Sequence, residues 1–429
     1  MNRAKVPHGD DKAASRLRVL VVADGQSPHS RNWIRHLVAR GHEVFLVTTY
    51  PCETESLGLI GSEVLTVDFS AKVRAGEKGA AMGTGNPAAK KSLIGRLRGG
   101  RLWKALSKIR NASAPRLAVR RAPLLRAIVD RVKPDLVHAL RIPFEGILAS
   151  QALKGSPTPL VISTWGNDFT LFAAESPTVA GLTRVAMGRV DGVHSDCAKD
   201  LRIAREEYGF SADRPGVVLP GNGGIETNIF HLGPKSPSVA ASFGLDPERP
   251  IVLNPRGLKP YIRTEEFFAA LPLVLERVPN AQFACLSAQG KALAESAIES
   301  RGIGESVRLL PSVSHAEMAE LFRLSDVVVS PSDHDGTPNT LLEAMACGAF
   351  PVAGDIESTR EWIEDGENGL LVDQRSPESI AEGIVRALLD PPLRERARGL
   401  NQEIIAERAA LESVFPRAEA FYAEVVKGK

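Results

Sequence analysis

Aromatic side chains are scarce in this sequence. They make up 5% of its 429 residues, too few for a surface that works by stacking rings on tryptophan and tyrosine. Cysteine is scarce as well. Cys52, Cys197, Cys285 and Cys347 stand far apart with no CxxC pair, which argues against a disulfide framework or a zinc site and for reduced thiols in a cytoplasmic protein. No run approaches the roughly 18 apolar residues that a membrane span needs, and residues 1–16 lack the apolar core of a signal peptide. The expected location is the cytoplasm, with peripheral attachment at the inner face of the membrane as an option. Acidic residues are missing from one long stretch: between Lys78 and Arg126 there are thirteen lysines and arginines and no aspartate or glutamate. Such a block suits an anionic surface, either lipid headgroups or an anionic acceptor, or else a solvated insertion. Nucleic acid is not expected as a partner, because Trp103 alone interleaves with the basic residues.

What is present is a globular composition, 43% hydrophobic and 24% charged, in a chain long enough for two cores. Strand-length apolar runs at 18–23, 43–48, 63–67, 135–140, 159–164, 192–195 and 216–219 alternate with helical patterns such as 30–40 and 123–132. A second series follows at 250–253, 282–286, 307–310, 326–329, 350–353 and 369–372, with helices at 264–277 and 315–324. Strand–helix alternation implies parallel sheets covered on both faces. The expected fold is therefore α/β, with two consecutive doubly wound, Rossmann-like domains. Residues 1–16 read as a flexible tail, 17–232 as the first domain, 248–400 as the second, and 401–429 as helices packing back toward the first. The join falls near 233–250, where Gly, Pro and Ser cluster. Residues 71–110 read as a mobile basic insertion. Within it, 102–109 is expected as a short amphipathic helix with Leu102, Trp103, Leu106 and Ile109 on one side, suited to a membrane surface or to the domain's own core.

In open parallel sheets, ligands bind beyond the carboxyl ends of the strands. The richest such junction follows the strand near 326–330 and reads Asp333-His334-Asp335-Gly336-Thr337-Pro338-Asn339-Thr340-Leu341-Leu342-Glu343-Ala344-Met345-Ala346-Cys347-Gly348. Pro338 suits the first helical position and Gly348 the residue past the end. The N–H groups of residues 339–341 are then expected to face the cleft as an anion site for a diphosphate. Asn339 and Glu343, four apart, share a helix face. Glu343 suits a pair of vicinal hydroxyls, as on a ribose, and Asp335 could accept from sugar hydroxyls.

Asp335 and Glu343, separated by seven residues, with Gly-x-Pro after the first and Ala-Met-Ala-x-Gly after the second, resemble the donor signature of the retaining glycosyltransferases of family 4, of GT-B fold, which implies two Rossmann-like domains facing one another across a cleft. Gly366-Glu367-Asn368-Gly369-Leu370-Leu371-Val372, the loop around Arg256 and residues 220–230 carry the resemblance further. It implies donor binding by Glu343 at the ribose, and by Asp335, Gly336, Thr337, Pro338, Asn339 and Thr340 at the sugar and phosphates. Where the family begins the motif with Glu, this chain has Asp335, with Asp333 as a less favoured substitute. The resemblance places Arg256 on the diphosphate, with Lys259 as the second cation and Arg263 in reserve, since Tyr261 stands at the usual Lys position. Ser358 and Thr359 replace the family's paired glycines. Trp165 stands where a His-Gly pair is common, shifting donor-sugar contacts to Asn167 or Asp168. Asp24, Gly25 and His29 are expected on the acceptor side of the cleft, and 221–225 as a hinge.

The implied reaction moves a sugar from a nucleoside diphosphate sugar, UDP- or GDP-linked, to a hydroxyl of a glycan or lipid-linked acceptor, with anomeric retention. Polysaccharide or glycolipid assembly at the cell surface is the expected setting. The sugar nucleotide is a co-substrate. No resident cofactor and no metal are expected, there being no Asp-x-Asp pair. A dehydrogenase is disfavoured because Val21-Val22-Ala23-Asp24-Gly25-Gln26 lacks the GxGxxG fingerprint. An epimerase or phosphorylase lacks its expected His–Glu or pyridoxal-lysine motif. A non-catalytic relative, binding sugar nucleotide or serving as a partner subunit, is the alternative.

Overall fold

The computed structural model describes residues 16–66, 101–174 and 176–428. The first sheet is built from β1 (Arg18–Ala23), β2 (Glu43–Thr48), β3 (Gly61–Val64), β4 (Leu136–Leu140), β5 (Leu160–Thr164), β6 (Gly192–Ser195) and β7 (Gly216–Val218). The second comprises β8 (Ile251–Asn254), β9 (Gln282–Cys285), β10 (Val307–Leu309), β11 (Val327–Ser330), β12 (Phe350–Gly354) and β13 (Leu370–Val372). Their orders are β3-β2-β1-β4-β5-β6-β7 and β10-β9-β8-β11-β12-β13. Every pairing between named strands is parallel, as in Val19 with Leu136 and Val327 with Val252.

Period-two alternation sends neighbouring residues to opposite faces of a sheet. Leu20 and Val22 enter one core and Val19 and Val21 the other. In the second sheet Val327 and Val329 face one core and Val328 the opposite one. This double burial is why the strands read as unbroken apolar runs. Thr264–Arg277 and His315–Leu324 form helices with the expected bounds. The latter opens on a capping box between Ser314 and Glu317, which satisfies two backbone donors left free at a helix start.

Three local expectations change. The strand expected at 63–67 lies earlier, at Gly61–Val64. Residues 102–109 do not form a separate short helix: Arg101–Val132 is one 32-residue helix with Pro115 and Pro123 inside it. Proline in sequence reads as a helix boundary, yet here Ala118, Ala122, Leu125 and Val129 keep one face buried on both sides of Pro123. The basic stretch at 78–100, and most of the expected mobile insertion, lie outside the described residues. The join at 233–250 holds a short helix, Pro237–Ser242, capped by Ser236.

The C-terminal helix, Leu411–Lys427, returns to the first sheet. Val414, Phe415, Ala418, Phe421 and Tyr422 enter the core with Val19, Val21 and Trp33. The crossing is sewn by main-chain bonds from Ile225 N to Ala409 O (2.8 Å) and from Leu411 N to Ile225 O (3.0 Å). Gly223 (φ 94°) and Gly224 (φ 108°) make the turn that permits it.

Candidate active site

The carboxyl ends of both sheets open on one cavity of about 500 Å3, lined from the first sheet by His29, Arg141, Trp165, Asn167 and Asp196 and from the second by Arg256, Lys259, Tyr261, Asp335, Thr337, Asn339 and Thr340, among others. The strand-end loops of two domains thus converge, as the topology of parallel sheets requires.

Arg256 follows β8 through a turn in which its own N–H donates to Asn254 Oδ1 (3.2 Å). Its Nη1 donates to Asp335 Oδ2 at 2.5 Å. Burial alone would lower the guanidinium pKa, but Asp335 and Tyr261 outweigh it and raise it, so Arg256 stays cationic. Lys259 is exposed at the rim, its ammonium 5.6 Å from the Tyr261 ring. Arg263 turns elsewhere: at a left-handed φ of 47° it pairs with Asp333 and Glu266 and does not line the cavity. Asp333 also accepts from Gln374 (3.1 Å) and Arg375 (3.2 Å). It holds the loop and does not substitute for Asp335.

The loop after β11 is pinned from several directions. Asp335 O accepts from Lys199 Nζ (3.1 Å) and Ser358 Oγ (2.8 Å), so the serine at the family's glycine position buttresses the loop. Thr337 Oγ1 donates to Asp196 O. Pro338 is the residue before the helix Asn339–Ala346, and not its first residue. The anion-site expectation narrows accordingly. Asn339 N–H donates to Thr337 O (2.9 Å) and Leu341 N–H to Pro338 O (2.8 Å), leaving Thr340 N–H as the one of the three without a backbone acceptor among the described residues. The helix is tightened by these short turns, a feature that spacing does not reveal. Gly348 closes the helix at φ 90°.

Glu343 lies one turn further and does not line the same cavity. Burial, with Glu226 adding repulsion, pushes its carboxyl up to about 8. In the downstream motif, Asn368 is buried, with its amide donating to Trp362 O and to Asn401 Oδ1 (2.9 and 3.0 Å). Its role is to lock a turn.

From the first domain, Trp165 meets His29 edge-on at 5.5 Å. Burial, then the charges of Arg141 and Arg256, lower the His29 pKa, so its ring is neutral at pH 7. Asn167 lines the cavity. Asp168 does not: it is buried against Arg141 Nε (2.9 Å) and accepts from Ile142 N–H and Trp165 N–H. Asp24 and Gly25 also lie off this cavity, Gly25 N–H donating to Thr48 Oγ1 (3.1 Å) and Asp24 Oδ1 accepting from Gln26 N–H (2.9 Å). Gly221, expected only as a hinge, reaches the cavity wall.

Arg141, Asp196 and Lys199 escaped the sequence reading. Two of them stand immediately past β4 and β6, so the strand-end rule that singled out Asp335 applies equally to them. Burial and the neighbouring Asp200 hold the Asp196 carboxyl well above the usual carboxylate range. Asp196, Cys197 and Asp200 bring ligand-type atoms within 4.8 Å of one another, and Lys199 Nζ sits 3.4 Å from Asp200.

Two facing Rossmann-like sheets with a polar cleft between their strand ends define the class as a GT-B fold. Residues 237–401 match the family described as glycosyl transferases group 1, and residues 24–221 match a glycosyl transferase 4-like domain. Among curated relatives, the D-inositol 3-phosphate glycosyltransferase of Segniliparus rotundus is 27% identical over 226 residues, 52% of this chain and 49% of that one. The chain spans about half the length of the curated relatives it matches first. Sucrose-phosphate synthase from Thermosynechococcus elongatus has a similar fold, with a TM-score of 0.69 at 16% identity, covering 96% of this chain and 100% of that one. HepE from Anabaena, solved in complex with UDP, matches with a TM-score of 0.67 at 15% identity over 96% and 100% of the two chains.

Proposed function

We propose that this glycosyltransferase transfers a sugar from a nucleoside diphosphate donor to an acceptor hydroxyl with retention of anomeric configuration. One observation carries the placement of the reaction. Trp165 Nε1, Asn167 Oδ1, Asp196 Oδ1 and Asn339 Oδ1 are buried without a hydrogen-bond partner, and all four residues line the cavity that holds Arg256 and Asp335. Each such group costs about 1–3 kcal/mol, so four around one cavity support a polar ligand that partners them.

The main barrier is charge separation between the anomeric carbon and the diphosphate. Arg256, Lys259 and the Thr340 N–H would stabilise the charge growing on the leaving group, and Asp335 orients the guanidinium for it. In this reading the two cations supply the positive charge and no metal is needed. No side chain of the cavity is posed as a covalent nucleophile, which favours same-face attack guided by the departing phosphate. Closure between the loops at 165–168 and 335–337 keeps water from the donor. Glu343, on the helix face it shares with Asn339, accepts from the ribose hydroxyls.

A UDP-sugar is the first donor to test, because HepE structures hold UDP and UDP-glucose, with a GDP-sugar second. The acceptor is a glycan or lipid-linked hydroxyl in cell-surface polysaccharide or glycolipid assembly. The exposed Arg116, Arg120 and Arg121 support work at an anionic membrane surface. No helix among the described residues is long and apolar enough to cross a membrane.

Calorimetry with UDP-, GDP- and ADP-sugars tests the donor site. One nucleotide should bind selectively, and Glu343→Ala should weaken it by about 1–3 kcal/mol, with Arg256→Ala at least as damaging. Failure of all three to bind wild type would overturn the reading.

A further inference from the structure

The turn from β6 into the helix Ala198–Glu206 carries Asp196, Cys197 and Asp200. Asp196 sits in the wall of the reaction cavity, Cys197 is the residue before the helix and Asp200 lies in its first turn. All three are buried. Each offers one ligand-type atom, and these atoms lie within 4.8 Å of one another. A cluster of acids is no site by itself, but here the polar atoms are unsatisfied. Asp196 Oδ1 and both carboxylate oxygens of Asp200 are buried with no hydrogen-bond partner among the described residues, which is costly for a charged group. Lys199 does not relieve this fully. Its Nζ lies 3.4 Å from Asp200 Oδ1 as an ion pair and gives its hydrogen bond to Asp335 O at 3.1 Å.

We propose that Asp196, Cys197 and Asp200 bind a zinc ion at the wall of the cleft. Charge asks for a divalent ion. Two carboxylates and a thiolate carry three negative charges against the ammonium of Lys199, and a doubly charged cation cancels the remainder. Ligand type selects zinc, because a thiolate beside carboxylates suits it, whereas magnesium and calcium take oxygen alone. Three protein ligands are one fewer than a closed structural site has, so the ion is exchangeable. Outer partners are already in place. Gly166 N–H donates to Asp196 Oδ2 (3.2 Å) and Thr337 Oγ1 donates to Asp196 O, which orients the acid nearest the cleft. Because Asp196 lines the cavity, the cleft gives the ion its way in. The order Asp-Cys-x-x-Asp spells neither a CxxC pair nor Asp-x-Asp, which is why spacing alone pointed to no metal. Bound there, zinc fixes the turn after β6 against the loops after β5 and β11 and takes no part in the leaving-group chemistry assigned to Arg256 and Lys259. The inference goes beyond the glycosyl-transfer reading and does not rest on it. With Asp196 Oδ1 met by the ion, the unsatisfied atoms of Trp165, Asn167 and Asn339 remain for the donor.

Cobalt(II) stands in for zinc in such ligand sets, and a thiolate bound to it gives a charge-transfer absorption in the near ultraviolet. The full chain, kept reduced, is titrated with cobalt, and zinc affinity is then measured against a chromophoric chelator. One equivalent of cobalt should bind with that absorption and be displaced by zinc. Cys197→Ser should abolish the band, and Asp200→Asn should weaken zinc by about tenfold or more. Cys52→Ser, which removes the half-exposed thiol where an adventitious ion would bind, should change neither. Circular dichroism checks the fold of each variant, and if Cys197→Ser does not fold, Asp200→Asn, of the same shape as the native side chain, carries the test. A band that persists in Cys197→Ser, a band lost in Cys52→Ser, or zinc affinity unchanged in Asp200→Asn would each overturn the site. So would the absence of stoichiometric binding, which would mean that Lys199 and shared protons alone balance the two acids.

Discussion

At the residue scale, two glycines govern how closely the halves of the site approach. A Cβ added to Gly166 would collide with the backbone of Gly336, and one added to Gly336 with the Asp196 carboxylate. These neighbours are main chain and a buried acid, which cannot step aside as a flexible side chain would. Gly166→Ala should therefore push the loop after β5 away from the loop after β11 without disturbing either core. A misplacement of about 1 Å costs on the order of 100-fold in rate. The expected outcome is a fall of that size in kcat/KM with an unchanged melting temperature, read by steady-state kinetics and thermal unfolding. Unchanged kinetics would show that the approach seen here is not part of turnover.

At the element scale, the C-terminal helix is held by a buried polar chain. Trp33 Nε1 donates to Tyr422 Oη (2.9 Å), which also bonds His138 Nδ1 (2.6 Å). His138 Nε2 reaches Ser163 Oγ (2.8 Å), and Ser163 reaches His194 Nδ1 (2.8 Å). Removing one hydroxyl leaves two buried ring nitrogens without their partner. Tyr422→Phe should cost about 2 kcal/mol in urea unfolding, the scale of a buried unsatisfied group. Glu419 secures the same helix through a two-pronged pair with Arg40 (2.6 and 2.7 Å). A different device joins the halves beside the cleft. Glu361 accepts from the N–H groups of Ala198 (2.9 Å) and Lys199 (3.2 Å), capping the helix Ala198–Glu206 from the second domain. Glu361→Ala removes that cap, typically worth about 1 kcal/mol. It should shift the population toward an open form, visible as a larger radius of gyration in small-angle scattering and an increased KM.

For the whole molecule, buried acids shape the pH response, Glu145 and Glu343 among them. Glu145 and Glu343 both titrate near 8 in the folded chain, above the ordinary glutamate value of about 4.3. Between those values the folded state keeps protons that the unfolded state has released. Stability should therefore be greatest below about 4.5 as far as these groups are concerned, and decline as pH rises toward 8. Thermal unfolding from pH 5 to 8.5 should show a falling melting temperature, and the double replacement Glu145→Gln with Glu343→Gln should flatten the slope. Acids paired with arginine, such as Asp333 and Asp355, act in the opposite direction as pH falls, since their carboxyls are held below the usual range.

The fold class was written in the strand-length apolar runs, because a sheet buried on both faces needs apolar residues at every position, and this shows in one dimension. Asp335 at the cavity was legible for a similar reason, since a strand end and the loop after it are local, whereas Glu343, one helix turn further, lies off that cavity. Arg141 and Asp196 were open to the same strand-end rule and were missed because nothing local sets them apart. Other outcomes depended on contacts between distant segments. Arg263 and Asp168 looked like ligands and are occupied by ion pairs, while Ser358 looked like a departure from pattern and supports Asp335. Long-range pairing of charges, the joining of two loops across 170 residues at Gly166 and Gly336, and the passage of one helix through Pro115 and Pro123 are decided by packing. Their free energy comes from burial of partners that the chain brings together only when folded, so tertiary structure alone could assign them.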